Sequence, residues 1–347
     1  MLLRRWAALL SLLIAWSLAV HIPSAYAAEA ERIVAIGDLH GDHAAWRQIA
    51  AAAGLIDQAG RWAGGRAILV QTGDVTDRGP DSLKIIRDLR RLQSEAQRAG
   101  GRVIAVVGNH EAMNVTGDLR YVHPGEYAAF RGPRSTQVRD RYYSLHRRTI
   151  EEAARRRAPA STSEQIRKDW EQATPFGMIE HRQAWHPTGE IGAWVVGNPA
   201  VAQLDDLLFV HGGLSRAYAA MSVGEINRRT REALLAGDGT ESAIINDPDG
   251  PLWYRGLVIR EEGDAGGGAA AIDEELTEVL RQHRARAIIV GHTPSMNGIV
   301  ISHGGRLARI DTGISRHYRG QLSYLEIIGG RMIPRSVARS TETEPGE

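Results

Sequence analysis

Three charged residues crowd the end of one apolar run: "QTGDVTDRGPDS" (71–82) carries Asp74, Asp77 and Arg78 just ahead of glycine and proline. Charges this close at the end of a buried segment are costly unless they bind something. The pattern recurs along the chain. One apolar run stops at "GDLHG", with Asp38 and His40, and another at "GNHE", with Asn109, His110 and Glu111. Later runs stop at "VHGG", with His211, and "VGHTP", with His292. Singly, each cluster is ordinary: a buried aspartate often caps a helix, and a lone histidine is more often a satisfied core residue than a ligand. Jointly, Asp, His, Asp, Asn, His and His make an oxygen and nitrogen donor set suited to Mn2+, Fe or Zn2+. Six such donors suffice for two cations if one aspartate bridges them. The chain contains no cysteine, which excludes thiolate metal sites, cysteine nucleophiles and disulfides.

Such donors converge only on a scaffold that ends several segments at one place. "RIVAIGD" (32–38), "RAILVQTGD" (66–74) and "GRVIAVVGN" (101–109) read as buried strands. "HAAWRQIAAAAGL" (43–55) and "PDSLKIIRDLRRLQSEAQRAG" (80–100) read as the helices between them, the second with proline in its first turn and glycine at its end. This alternation predicts an α/β core with at least partly parallel strands. In such sheets, sites assemble in the loops beyond the carboxyl ends of the strands. Glycine beside each cluster allows sharp turns and close backbone approach.

From about 114 to 190 the rhythm breaks into an Arg-, His-, Trp- and Tyr-rich stretch, read as an inserted helical cap. Strands are expected again at 191–197 and 207–213. A helix near 222–235 and a Gly/Ala-rich loop at 263–271 follow. Helix 273–286 then leads into strand 287–292, and antiparallel strands close the domain. A polar tail follows from about 338.

The 347 residues are 43% hydrophobic and 24% charged, a globular composition. A net charge of +1 gives no sign of a dedicated nucleic-acid surface. The first 27 residues carry Arg4 and Arg5, an apolar core over 6–20 and the small-residue pattern Ala25-Tyr26-Ala27. That order predicts a cleaved signal peptide and a periplasmic or secreted mature chain; an uncleaved membrane anchor is the alternative.

Taken in order, "GDLHG … GDVTDRG … GNHE … HGG … GHT" resembles the phosphoprotein phosphatase branch of the calcineurin-like metallophosphoesterases. The runs "GNHEAMNVTGDLRYV" and "PLWYRG" are more narrowly similar to Shewanella-like protein phosphatases. The resemblance implies a sandwich of two central mixed sheets flanked by helices. It also implies two divalent cations, Mn2+ first and Fe or Zn2+ next, that activate a shared water for attack on phosphorus. Asp38 and His40 would hold one cation, Asp74 would bridge, and Asn109, His211 and His292 would hold the other. His110 would protonate the leaving oxygen, held by Asp77. Arg78 and Arg255 would bind phosphate, with Asn109 contributing.

Each assignment has an alternative. Arg78 forms a salt bridge with Asp77 in the plainer reading, and Arg255 is a surface arginine at a turn. Glu111 is read as supporting the site rather than reacting. Tyr318 is read as packed rather than overhanging the site. The expected activity is hydrolysis of phosphorylated protein side chains, phosphotyrosine or phosphoserine/threonine. Dinucleoside polyphosphates or other small phosphate esters are the alternative substrates, and a silent binding module is a third reading. Pro294 stands where nuclease and diesterase relatives carry a second histidine, which argues against diester cleavage.

Overall fold

The protein is described here as a computed structural model covering residues 32–260 and 268–340. The expected signal peptide and the last residues of the tail lie outside this range. The first half runs β1 (Ile33–Ile36), α1 (His43–Ala52), β2 (Ile68–Gln71), α2 (Ser82–Arg98), β3 (Arg102–Ala105) and α3 (Asn109–Thr116). Four helices follow: α4 (Pro124–Phe130), α5 (Ser135–Arg157), α6 (Ser163–Ala173) and α7 (Met178–Trp185). Then come α8 (Glu190–Gly197), β4 (Val201–Leu204), β5 (Leu207–Val210), α9 (Arg216–Ala219) and α10 (Val223–Ala236). The chain ends with α11 (Ala269–His283), β6 (Ala287–Val290), β7 (Val300–Ser302), β8 (Leu307–Arg309), β9 (Leu322–Ile328) and β10 (Arg331–Val337).

The strands form two mixed sheets ordered β10-β9-β1-β2-β3 and β4-β5-β6-β8-β7. β1, β2 and β3 run parallel, as do β5, β6 and β8, while β9, β10, β4 and β7 pair antiparallel at the flanks. Alternation along each strand explains the layering. Ile33, Ala35, Ile68 and Val70 face Phe209, Leu207, Ala287 and Ile289 in one buried cluster between the sheets. Val34, Ile36, Leu69, Leu208 and Val210 point the other way, into a second core with the helices. Strands buried on both faces read as unbroken apolar runs, which is why they were legible in sequence.

Two expected elements differ. Residues 191–197 form helix α8, not a strand: Ile191 and Val195, four apart, share its buried face, and Trp194 Nε1 donates to Gln93 Oε1 on α2 at 3.1 Å. A short apolar run fits either period, so packing decided it. Helix α11 starts at Ala269, inside the expected loop, and ends at Arg284 in left-handed backbone. Beyond β10, Arg339 Nη2 donates to the Ile314 carbonyl and Ser340 N to Gln48 Oε1, so the expected tail is hydrogen-bonded through residue 340.

The cap region is tied to the core by a buried acid. Glu126 on α4 accepts the backbone N–H of Ser82, at the start of α2, at 3.0 Å. Burial, with nearby Asp77 and Asp81, pushes its carboxyl up to about 8. The folded chain therefore retains a proton that the unfolded chain releases above about pH 4.3, and stability falls as pH rises from there through about 8. Glu126→Gln keeps the acceptor and removes this loss. Thermal melts should show the variant at least about 2 °C more stable than wild type at alkaline pH, the gap closing near pH 5. A gap independent of pH would rule out the buried proton.

Candidate active site

The polar clusters leave their strands within a few residues. Asp38 and His40 follow β1, Asp74, Asp77 and Arg78 follow β2, and Asn109 and His110 open α3 just after β3. His211 directly follows β5, and His292 lies two residues past β6. Both sheets therefore feed one site. The approach is tight enough to exclude side chains from some positions. A Cβ on Gly108 would lie 2.3 Å from Asp74 Oδ1, and one on Gly291 would lie 2.5 Å from Asp38 Oδ1. Among the described residues nine non-glycine residues have positive φ, and five belong here: His40, Asp74, Asp77, Arg78 and His292. Strain of this kind persists only where the surroundings enforce it, and it concentrates at functional sites.

Asp74 sits at the centre. Its Oδ2 lies 3.3 Å from His211 Nε2, 3.7 Å from His40 Nε2 and 3.8 Å from His110 Nε2. Two groups of donors share it: His40, Asp74 and His110, and Asp74, His211 and His292, with ligand atoms within 4.8 Å of one another in each. Burial alone would raise the Asp74 carboxyl, but His211, His110 and His40 hold it well below the usual carboxylate range.

The tautomers point to a cation. His211 Nδ1 faces the Thr72 carbonyl at 2.8 Å, where only an N–H is favourable. Its Nε2 then points at two acceptors, Asn109 Oδ1 at 2.8 Å and Asp74 Oδ2. Lone pairs converging this way need either a second ring proton or a positive ion between them. Burial opposes the proton, yet Asp74 and Asp38 carry His211 up to about 10. A bound cation would replace that proton, so affinity should rise with pH. His40 likewise uses Nδ1 on the Thr76 carbonyl at 3.0 Å, leaving Nε2 toward Asp74. Burial pushes His40 down to about 3. Burial and the neighbouring His211 push His292 to about 2, and its buried Nε2 has no hydrogen-bond partner. Neutral imidazoles with unshared lone pairs are what a divalent ion requires. The residues fit a pair of divalent cations.

Asp38 is held differently from its neighbours. Both its oxygens accept the His292 N–H at 3.2 Å, and burial together with Asp311 pushes its carboxyl well above the usual range. His110 is braced: its Nδ1 lies 2.6 Å from Asp77 Oδ2, while Asn114 Nδ2 donates to Asp77 Oδ1 at 2.9 Å. Burial opposes protonation of His110, but Asp74 and Asp77 raise it above the ordinary histidine value. Glu111 stands behind both loops, its two oxygens accepting the N–H groups of Asp74, Val75, Thr76 and Gly108 at 2.8 to 3.3 Å. Burial and Asp74 push it up to about 7, against those four donors.

Among the described residues no ion pair joins Arg78 to Asp77, because His110 and Asn114 already occupy that carboxylate. Arg78 Nη2 lies 3.4 Å from His110 Nε2. Arg255 lies on the His292 side, donating to the His292 carbonyl at 2.9 Å and to Thr293 Oγ1 at 3.1 Å. Tyr318 overhangs the site, contrary to the packed reading: its ring lies 5.5 Å from that of His40 and stacks on Arg78. Three residues went unread in the sequence. Asn114 and Tyr121 both lie in the run "GNHEAMNVTGDLRYV" but were given no role there, Asn114 also carrying an i+4 spacing from His110. Asp311 ends an apolar run as the others do and was legible by the same rule; its carboxyl is pushed up to about 6 by burial.

A family model, Calcineurin-like phosphoesterase, matches residues 31–296. The chain belongs to that family. Within it, Shewanella-like protein phosphatase 2 of Arabidopsis thaliana is 34% identical over 292 residues, covering 82% of this chain and 72% of that protein. An uncharacterised Schizosaccharomyces pombe protein is 32% identical over 85% of this chain and 76% of its own length. Among solved structures, a cold-active protein tyrosine phosphatase superposes with a TM-score of 0.64 at 24% identity, covering 88% of this chain and 76% of that one, a likeness of fold. A symmetrical bis(5'-nucleosyl)-tetraphosphatase of Burkholderia thailandensis is 34% identical over only 95 residues, 27% of this chain and 28% of that protein.

The His110–Asp77 pair sets an expected pH response. If activity needs protonated His110, it is lost as pH rises through the raised folded value. Asp77→Asn removes a raising carboxylate, so the alkaline limb of the kcat profile should move to lower pH. The plateau should fall by about ten- to a hundredfold. An unmoved limb would remove His110 from the proton transfer.

Proposed function

We propose that this protein is a two-cation phosphomonoesterase acting on phosphorylated protein side chains. The observation that carries it is the shared Asp74, flanked by two donor groups, with Arg78 and the braced His110 beside it. His40, Asp74 and Asp38 would hold one cation and Asp74, Asn109, His211 and His292 the other. The sulfur-free set favours Mn2+, with Fe or Zn2+ as alternatives. When bound, such cations supply Lewis acidity and an acidified water for attack on phosphorus.

The chain's own groups do the remaining work. Arg78 offers a planar fork to two phosphate oxygens, and Arg255 a second cationic arm from the His292 side. As the ester P–O bond breaks, the leaving oxygen takes a proton from His110 Nε2. Asp77 keeps Nδ1 protonated and the ring aimed. Glu111 keeps the backbone of 74–76 in place and touches no substrate in this reading. The rings of Tyr121 and Tyr318 flank Arg78 beside the phosphate position.

The mature chain, stripped of metal and then given Mn2+, should release phosphate from phosphotyrosine peptides only with the ion present. Asp74→Asn should cut that release at least roughly a hundredfold. Cleavage of a dinucleoside polyphosphate but of no phosphopeptide would move the substrate class to small molecules.

The pattern of residues 1–27 supports export. N-terminal sequencing of the exported protein should begin at or next to Ala28; retention of Met1 would make the segment an anchor.

A further inference from the structure

Arg78 is held without a counter-charge. Its guanidinium carbon lies 4.7 Å from the centroid of the Tyr121 ring and 5.2 Å from that of Tyr318. Its Nε is buried with no hydrogen-bond partner, and among the described residues it forms no ion pair. The acid next to it in sequence, Asp77, is taken by His110 and Asn114. The Arg78 backbone adopts φ 65°, and its N–H donates to the Tyr121 carbonyl at 3.0 Å. Tyr121 belongs to the loop entering α4, and Tyr318 to the loop between β8 and β9. Two distant parts of the chain therefore meet on one guanidinium.

We propose that Tyr121 and Tyr318 are positioning residues that clamp Arg78 between their rings, so that it receives the phosphate oxygens fully charged and already ordered. The proposal rests on the assignment of Arg78 to phosphate binding. A carboxylate would also order the arginine, but it would neutralise the charge and compete with the incoming phosphate for the same donors. Aromatic faces attract the cation through the ring quadrupole without occupying its N–H groups; among these, Nη2 lies 3.4 Å from His110 Nε2. An ordered guanidinium loses less rotamer freedom when the anion arrives, so the clamp acts on affinity. The inserted region thus reaches the chemistry directly: residue 121 supplies both the ring and the carbonyl that fixes the arginine's backbone.

The test is binding of inorganic phosphate to the Mn2+-loaded mature protein by calorimetry, with thermal melts to verify folding. Tyr121 is 39% exposed, so truncating its ring leaves the core intact. Tyr121→Ala and Tyr318→Ala should each raise the phosphate Kd by roughly three- to thirtyfold, and Tyr121→Phe should restore wild-type affinity. KM should rise with Kd while kcat changes far less. Arg78→Ala runs in parallel. If it weakens phosphate binding while both tyrosine truncations leave Kd unchanged, the clamp is wrong and the rings serve only the leaving group. If Arg78→Ala itself leaves Kd unchanged, the phosphate assignment fails and the clamp falls with it. Failure of Tyr121→Phe to restore affinity would also overturn the ring-stacking account.

Discussion

A carboxylate buried at the meeting point of two sheets is the constraint on which this structure turns. Asp74 is 1% exposed, and in a low-dielectric interior a lone negative charge there would protonate or destabilise the fold. Instead three imidazoles approach its Oδ2, those of His211 and His40 fixed by backbone carbonyls behind them and that of His110 by the Asp77 carboxylate. The result is a cavity of ligands whose mutual compensation is incomplete: His292 Nε2 has no partner, and His211 Nε2 faces two acceptors. Positive charge between the donor groups resolves both defects at once. The need for a cation is thus written into the hydrogen-bond inventory of the protein itself.

Bringing donors from both sheets to one point demands unusual backbone. Five site residues occupy left-handed conformations that glycine would adopt more easily. Their side chains are needed, so the strain is held by other contacts. Glu111 is the main brace, collecting four backbone N–H groups from the loop after β2 and from the start of α3. Glycine serves a different purpose here, since Gly108 and Gly291 make room for the carboxylates of Asp74 and Asp38.

The site was legible because burial and chemistry leave separate marks on a sequence. Strands covered on both faces must be apolar throughout, so a polar residue at their ends stands out. Asp38, His40, Asp74, Asn109, His211 and His292 were all found this way. Where that contrast is absent, the sequence was silent or misleading. Tyr121 lies in a polar stretch with no period, and Tyr318 looked like any tyrosine in a turn. The run at 191–197 is apolar in either geometry and became a helix because Ile191 and Val195 pack into the core on one face, with Trp194 bonded to Gln93 of α2.

The sequence alone determined the class of fold, the sulfur-free donor set and the order in which donors reach the strand ends, because these depend on residue type and local periodicity. The tertiary structure decided what those donors face. It placed Asp77 against His110 rather than Arg78, brought Asp311 beside Asp38, and set the rings of Tyr121 and Tyr318 against Arg78. Such relations join residues far apart in the chain. Their energies depend on distance and burial, which no local pattern encodes.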